Sequence, residues 1–394
     1  MTKIILSDIQ KKGFAVLHGK WGGSKASQSL IGLNGKKGKD KYSIGYLAYP
    51  NIGLKNIIPD SGFFCYDKLI RQKDIPKTDS EFSTSGRLEQ SVTKSEYIKK
   101  ILQIKELLAR GEIYQMCYCV RFRKRFEGSP YALFQKLISV NPTDYSAYLN
   151  FGDFQIISNS PEGFFNVKNG KITTTPIKGT VSKEGGKKNL NYLINSEKER
   201  AELDMITDLE RNDIGKICEY GTLKLKKERE ILELKNLWHA YSEVEGKLRS
   251  DIDGQDIFDA IFPGGSITGC PKKRAMEYIS ELEGLPRNIF TGTIGYIDCG
   301  AMVEQASPLS FANDVASPWS NGGFHNSSTN APQMAPQQPY NCDMDFNIAI
   351  RTALVKDGWV EFWAGGGIVA DSDPEKEYDE CHLKAEKFLD IIKS

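Results

Sequence analysis

Residues 365–380 read Gly-Gly-Gly-Ile-Val-Ala-Asp-Ser-Asp-Pro-Glu-Lys-Glu-Tyr-Asp-Glu, and two familiar folds stand or fall on them. From Gly365 the run fits G-x-G-x-x-A, the phosphate-binding turn of a dinucleotide fold. That turn must open a helix directly. Here the helix starts only after Asp373-Pro374, and the 24 residues after Ala370 leave no room for the rest of such a unit. Asp371 and Asp373 begin like a calcium-binding EF-hand loop, yet Lys376 occupies the turn glycine and His382 the closing glutamate. With both excluded, the stretch reads as a strand over 359–363, a glycine turn, and a helix over 374–392. Ser372 or Asp373 caps that helix, with Glu375 completing a capping box if Ser372 is the cap.

Upstream, short apolar runs at 13–17, 44–49 and 62–66 alternate with Gly, Lys and Pro turns and predict strands. The character changes at Thr93. Ser95 is expected to cap a helix whose apolar run covers 98–108, with Arg110-Gly111 as its stop. Patterning then predicts a strand over 113–122, a helix over 131–139 and strands over 145–157 and 163–175. A helix over 197–217, interrupted near Asn212-Asp213, and another over 271–282 follow. Strands over 291–297 and 346–354 lead into the opening stretch. Strands in hairpin-like succession, mixed with helices, make this an α+β chain. It divides into a short strand-rich N-terminal region, 1–92, and a larger domain, 93–394. Between Glu304 and Cys342 there is no Lys or Arg, and Pro, Gln, Asn, Ser and Gly take their place. Segment 304–341 is therefore read as a low-complexity insertion.

The charge balance excludes some functions. With 52 Lys and Arg against 51 Asp and Glu, the net charge of +1 supplies no field for gripping nucleic acid. No window approaches the roughly 18 apolar residues that span a membrane. Eight cysteines without a C-x-x-C argue against a disulfide framework and against zinc. The apolar run at the N-terminus is too short for a signal peptide, and the chain is placed in the cytoplasm.

Two pairs of carboxylates stand out. Glu199, Glu202, Ile206 and Leu209 follow at spacings of three, four and three, so both acids continue an apolar stripe. Glu377 and Glu380, three apart, edge the stripe of Tyr378, Cys381, Ala385, Phe388 and Ile392. Such pairs are ordinarily solvated helix surface. The alternative is that both converge on a hard cation such as Mg2+ holding an anionic substrate, and periodicity leaves the two readings open. Residues 263–272 (PGGSITGCPK) set glycines and hydroxyls before a helix with Pro271 in its first turn, where free N–H groups favour an anion. Cys270-Pro271 stand where a Walker loop needs Lys and Ser or Thr, so a carboxylate fits better than a nucleotide.

Seven blocks occur in order: 111–115 (GEIYQ), 160–162 (SPE), 176–180 (PIKGT), 205–215 (MITDLERNDIG), 262–272 (FPGGSITGCPK), 348–352 (IAIRT) and 365–380. Together they resemble the signature blocks of the chorismate-utilising enzymes. That family includes anthranilate synthase component I, aminodeoxychorismate synthase component I, isochorismate synthase and salicylate synthase. The likeness covers residues 95–394 apart from the insertion. It implies an α+β fold of two packed antiparallel β-sheets with helices on the outside, and a Mg2+-dependent chorismate site between them.

Within the family, Gln115 falls where the water-adding members carry a Lys, and an amide is no general base. Lys178 falls where the aminodeoxychorismate synthases resemble this chain and the anthranilate synthases typically have Ala. The resemblance thus implies amination of chorismate to 4-amino-4-deoxychorismate, a step towards para-aminobenzoate and folate, through a covalent intermediate on Lys178. Anthranilate synthase component I, or an inactive binding subunit, is the alternative. Glu162 carries over as the general acid/base and His239 as a contact to the departing hydroxyl. Gln115, Thr268, Tyr296, Arg351, Gly366, Gly367 and Lys384 carry over as substrate-binding residues. Glu199, Glu202, Glu377 and Glu380 carry over as the Mg2+ ligands. The chain lacks a G-x-C-x-G nucleophile motif, so ammonia is expected from a partner glutamine amidotransferase (glutaminase) subunit, with no nucleic acid or membrane partner.

Overall fold

The computed structural model describes residues 4, 6–24, 26–36, 41–233, 237–299 and 342–393. The expected insertion, 304–341, lies outside them. Contacts group the described residues into two units. One is drawn from Met1–Glu162, Ile267–His325 and Phe346–Ser394, the other from Gly163–Ser266 and Asn326–Asp345.

In the first unit, antiparallel strands run side by side in the order Gly269–Cys270, Gln115–Gly128, Trp359–Ile368, Thr352–Lys356, Phe154–Ser160, Tyr145–Asn150, Phe14–Gly19, Gln28–Gly32 and Ile70–Gln72. Phe82–Gln90 also pairs with Gln115–Gly128, giving ten strands. Strands from the first ninety residues and from the last fifty thus share one sheet. A second sheet in this unit sets Thr293–Asp298, Tyr42–Leu47 and Ser61–Tyr66 together. Leu17, Leu30, Leu149 and Ile156 of the first sheet pack with Ile44, Tyr46, Phe64 and Ile294 of the second in one apolar core. Helices cover the first sheet: Pro374–Lys393 packs on Trp359–Ile368, Lys272–Glu283 on Gln115–Gly128, and Pro130–Val140 on Phe154–Ser160. Two packed antiparallel sheets with outer helices are the expected α+β architecture.

The second unit sets Ile177–Ser182, Leu237–Lys247, Lys171–Thr174 and Gly163–Lys168 in an antiparallel sheet, with Lys224–Glu233 along the other side of Leu237–Lys247. Helices Gly186–Asn195 and Glu197–Gly215 pack on the strands Ile177–Ser182 and Leu237–Lys247. Among the described residues no helix is long and apolar enough to cross a membrane.

Several local expectations change. The first long helix is Lys94–Ala109, capped by Thr93 rather than Ser95, because Thr93 and Glu96 form a reciprocal capping box. Glu197–Gly215 runs unbroken past Asn212-Asp213, since Asp213 is buried and paired with Lys216 at 2.8 Å. The runs at 145–157 and 163–175 are each two strands of a hairpin. Helix Gly186–Asn195 is an addition to the expected elements; its one buried residue is Leu193. The 365–367 glycines form no turn. They continue the strand Trp359–Ile368, and a Cβ on Gly365 would collide with the Tyr118 carbonyl oxygen of the neighbouring strand. Asp373, not Ser372, caps the final helix, its Oδ1 accepting from the N–H groups of Glu375 and Lys376. Finally, Cys299 and Cys342 are disulfide-bonded while six thiols are free. Spacing along a sequence says nothing of the Cα separation that permits a bridge.

Candidate active site

In the second unit, Lys178 lies half-buried on the strand Ile177–Ser182, opposite Ala240. The ladder slips by one residue at Gly179, after which Thr180 faces His239. Gly179 takes φ +75°, and a Cβ there would stand 2.6 Å from Leu193 Cδ1 and 3.0 Å from Glu199 Oε2. The bulge therefore needs glycine, and it lets the Glu199 carboxylate reach the backbone next to Lys178. His239 Nδ1 is 2.7 Å from Thr180 Oγ1, which fixes the ring. Glu199 and Glu202 are half-buried on a helix capped by Ser196, whose side chain accepts from the Glu199 N–H, and Lys198 lies 4.0 Å from Glu202. Among the described residues the Lys178 ammonium has neither an ion-pair nor a hydrogen-bond partner. A cavity of about 230 Å³ lined by Leu193, Glu199, Leu203, Arg229 and Ala240 opens beside Glu199.

In the first unit, the last helix lays three charged tips over Gly366. A Cβ there would be 3.2 Å from Lys384 Nζ, 3.6 Å from Glu377 Oε2 and 4.0 Å from Glu380 Oε1. Lys384 bonds Glu380 at 2.7 Å and donates to the Gly365 carbonyl at 3.1 Å. Burial works against its charge, but Glu380 outweighs that and raises Lys384 above its ordinary value. Ser372 Oγ donates to Glu377 Oε1 at 2.7 Å. One strand over, Gln115 is 1% exposed and neither of its amide atoms has a partner among the described residues. Its Nε2 lies 2.5 Å from where a Cβ would stand on Gly367, so a side chain at 367 would displace it. Thr268 is fully buried, and its carbonyl accepts from the Cys117 N–H at 2.8 Å.

Glu162 follows the strand Phe154–Ser160. Ser160 Oγ accepts from its N–H at 3.2 Å and donates to the Ile348 carbonyl at 2.7 Å. Arg351 is held at φ +49° with its carbonyl accepting from the Asn159 N–H. Surrounding protein lowers its guanidinium from the ordinary value even though the residue opens to solvent, and the Glu162 carboxylate opposes that shift. Tyr296 goes elsewhere. It is 7% exposed, belongs to the apolar core between the sheets of its unit, and its hydroxyl lies over Gly22.

The structure thus gathers Glu377, Glu380, Lys384 and Gly366 in one place and Gln115 and Gly367 in a second, and in a third it sets Thr180 against His239 and Glu199 against Gly179, the residue after Lys178. Among the described residues no three His, Cys, Asp or Glu side chains form a ready cluster for a metal. The donors nevertheless suit Mg2+, because carboxylate oxygens of Glu377 and Glu380 aim at one glycine and are hard ligands. Sequence reading missed Ser372 as a donor to Glu377. It also missed the fully buried pair of Glu283 and Arg287, whose i,i+4 spacing was the available signal.

The chain matches the family of chorismate binding enzymes over residues 63–306 and 339–390. It is 35% identical over 304 residues to anthranilate synthase component 1 of Aquifex aeolicus, a match covering 76% of this chain and 53% of that one. It is 35% identical over 308 residues to aminodeoxychorismate synthase component 1 of Bacillus subtilis, covering 77% and 56%. The chain therefore spans a little over half the length of these relatives. Among solved structures, anthranilate synthase component I from Streptococcus pneumoniae superposes with a TM-score of 0.67 at 24% identity, over 95% of this chain and 90% of that one. MenF, the menaquinone-specific isochorismate synthase of Escherichia coli, gives 0.71 at 15% identity, over 99% and 91%. By its sequence match and its fold, this chain belongs to the chorismate binding enzyme family.

Proposed function

We propose that this family member aminates chorismate, acting as an aminodeoxychorismate synthase component I. The setting of Lys178 carries the reading: it is half-buried at a glycine bulge, and its ammonium has no partner among the described residues. A lysine tied into an ion pair is a poor nucleophile, whereas an unpaired one can supply the free amine.

The chemistry asks for replacement of the C4 hydroxyl by an amine with retained configuration. Lys178 Nζ, as the neutral amine, bonds to C2 of the ring as both double bonds of the conjugated diene shift and the C4 hydroxyl leaves. Glu162 donates the proton with which it leaves as water. Ammonia then bonds to C4, both double bonds shift back, and the C2–N bond breaks to release Lys178 as an amine. Two allylic displacements restore the original face. His239, oriented by Thr180, contacts the departing hydroxyl. Arg351 holds the enolpyruvyl carboxylate with its planar fork, and Gln115, Thr268 and the backbone at Gly366 and Gly367 bind the remaining polar groups. Tyr296, packed in the core, has no part in this reading. Glu199, Glu202, Glu377 and Glu380 would hold Mg2+, which when bound neutralises the ring carboxylate. Lys384 balances Glu380. Ammonia at neutral pH is mostly ammonium, so a glutaminase partner is proposed as its source.

The test is incubation with chorismate, Mg2+ and ammonium. Formation of 4-amino-4-deoxychorismate is expected, with a mass adduct on Lys178 when ammonia is withheld. Anthranilate fluorescence without an added lyase would overturn the reading in favour of anthranilate synthase, which the equally similar Aquifex aeolicus relative represents.

A further inference from the structure

The strand Gln115–Gly128 is paired along one side by Trp359–Ile368 from residue 116 to residue 125. On its other side, among the described residues, Gly269–Cys270 pairs with Gln115 and Met116, the Thr268 carbonyl accepts from the Cys117 N–H, Ser91 bonds Arg121, and Phe82–Gln90 pairs from Phe122 onward. Between them the Cys117 carbonyl and the Cys119 N–H face no described strand. Two side chains fill that gap. Arg287 Nη2 donates to the Cys117 carbonyl at 3.1 Å, and Glu283 Oε1 accepts from the Cys119 N–H at 2.9 Å.

Arg287 is wholly buried, yet its donors are all accounted for. Nε and Nη2 bond Glu283 at 2.8 and 2.6 Å, Nη1 bonds the Ile267 carbonyl at 3.1 Å and Thr291 Oγ1 at 3.2 Å, and Nη2 also takes the Cys117 carbonyl. Tyr49 lies against the guanidinium, ring centroid 4.8 Å away. A buried ion pair is weak evidence for stability, because desolvation consumes most of the Coulomb gain. What this one does is geometric. It ties the backbone on either side of two proposed substrate contacts: Cys117 lies two residues from Gln115, and Ile267 precedes Thr268. Lysine could keep the charge, but three donors on one atom cannot reach these separated acceptors as a planar fork does.

We infer that the Glu283–Arg287 pair is a positioning device that stands in for a missing strand and fixes Gln115 and Thr268 for the substrate. The inference rests on the reading that chorismate binds there. Arg287→Lys should still unfold cooperatively, while its chorismate KM rises at least tenfold with kcat changed less than threefold. The neutral pair E283Q/R287M, which keeps an acceptor for the Cys119 N–H, should show the same split. Arg274→Lys, on the exposed face of the same helix, is the control and should leave both constants unchanged. Wild-type KM in folded Arg287→Lys would overturn the inference, as would activity falling only with the folded fraction, or failure of both variants to fold, which would mark a purely structural role. A wild type that neither binds nor converts chorismate would instead sink the proposed function.

Discussion

The Lys384 ammonium stands 2.7 Å from the Glu380 carboxylate, and the two share the space above Gly366 with Glu377. An ion pair inside a proposed cation site means that lysine and metal compete for the same oxygen. Lys384→Met should therefore tighten Mg2+ binding several-fold in calorimetry, because a repelling charge is gone. Weaker Mg2+ binding by this variant would contradict the assignment of Glu380 as a ligand. The pair also has a pH signature. Lys384 is raised above its ordinary value of 10.5, so its contribution to stability is complete at neutral pH and is lost as pH rises through the raised value. The melting-temperature gap between wild type and Lys384→Met should be flat from pH 7 to 9 and close in stronger alkali.

Adjacent glycines should respond unequally. At Gly366 a methyl group meets the end of a flexible, solvent-open lysine at 3.2 Å, and the lysine can yield. At Gly367 it meets the Gln115 amide at 2.5 Å, in a place only 1% exposed. Gly367→Ala should lower kcat/KM for chorismate at least tenfold and Gly366→Ala by threefold or less, with similar melting curves. Equal losses would mean that Gln115 does not face the substrate.

The sequence carried the strands, the final helix and the order of the motif blocks, because strand alternation and helix stripes are local. It misread the 365–367 glycines as a turn, since a glycine chosen for close approach to a neighbouring strand looks the same as one chosen for φ. Tyr296 shows the same limit. A motif fixes a residue's place on a strand but not what packs against its tip, here Gly22. The Glu283–Arg287 pair was hidden because charged residues three or four apart are usually solvated, and only the gap along Gln115–Gly128 explains burying this one.

Thr180 should matter only through His239. Its hydroxyl lies 2.7 Å from His239 Nδ1 and is exposed, so Thr180→Val removes one orienting bond without opening a core. A fall in kcat of about 2- to 13-fold is expected, in line with a net hydrogen bond of about 0.5–1.5 kcal/mol, at unchanged chorismate KM. A rise in KM with kcat intact would place His239 in binding instead.

Gly179 joins strain to chemistry at one position. Alanine there must adopt φ +75° and push against Leu193 Cδ1 at 2.6 Å and Glu199 Oε2 at 3.0 Å. The backbone cost alone is about 1–2 kcal/mol, and the crowding adds to it. Leu193 belongs to the small core with Leu203 and Ala240 that seats the Glu199 helix on its strands, so yielding there moves the carboxylate. Gly179→Ala should therefore lower the melting temperature and also weaken Mg2+ binding, whereas Leu193→Ala, which opens a cavity without touching the backbone, should destabilise without the same loss of metal affinity. If the two variants lose Mg2+ affinity equally at matched stability, the bulge does not serve the carboxylate.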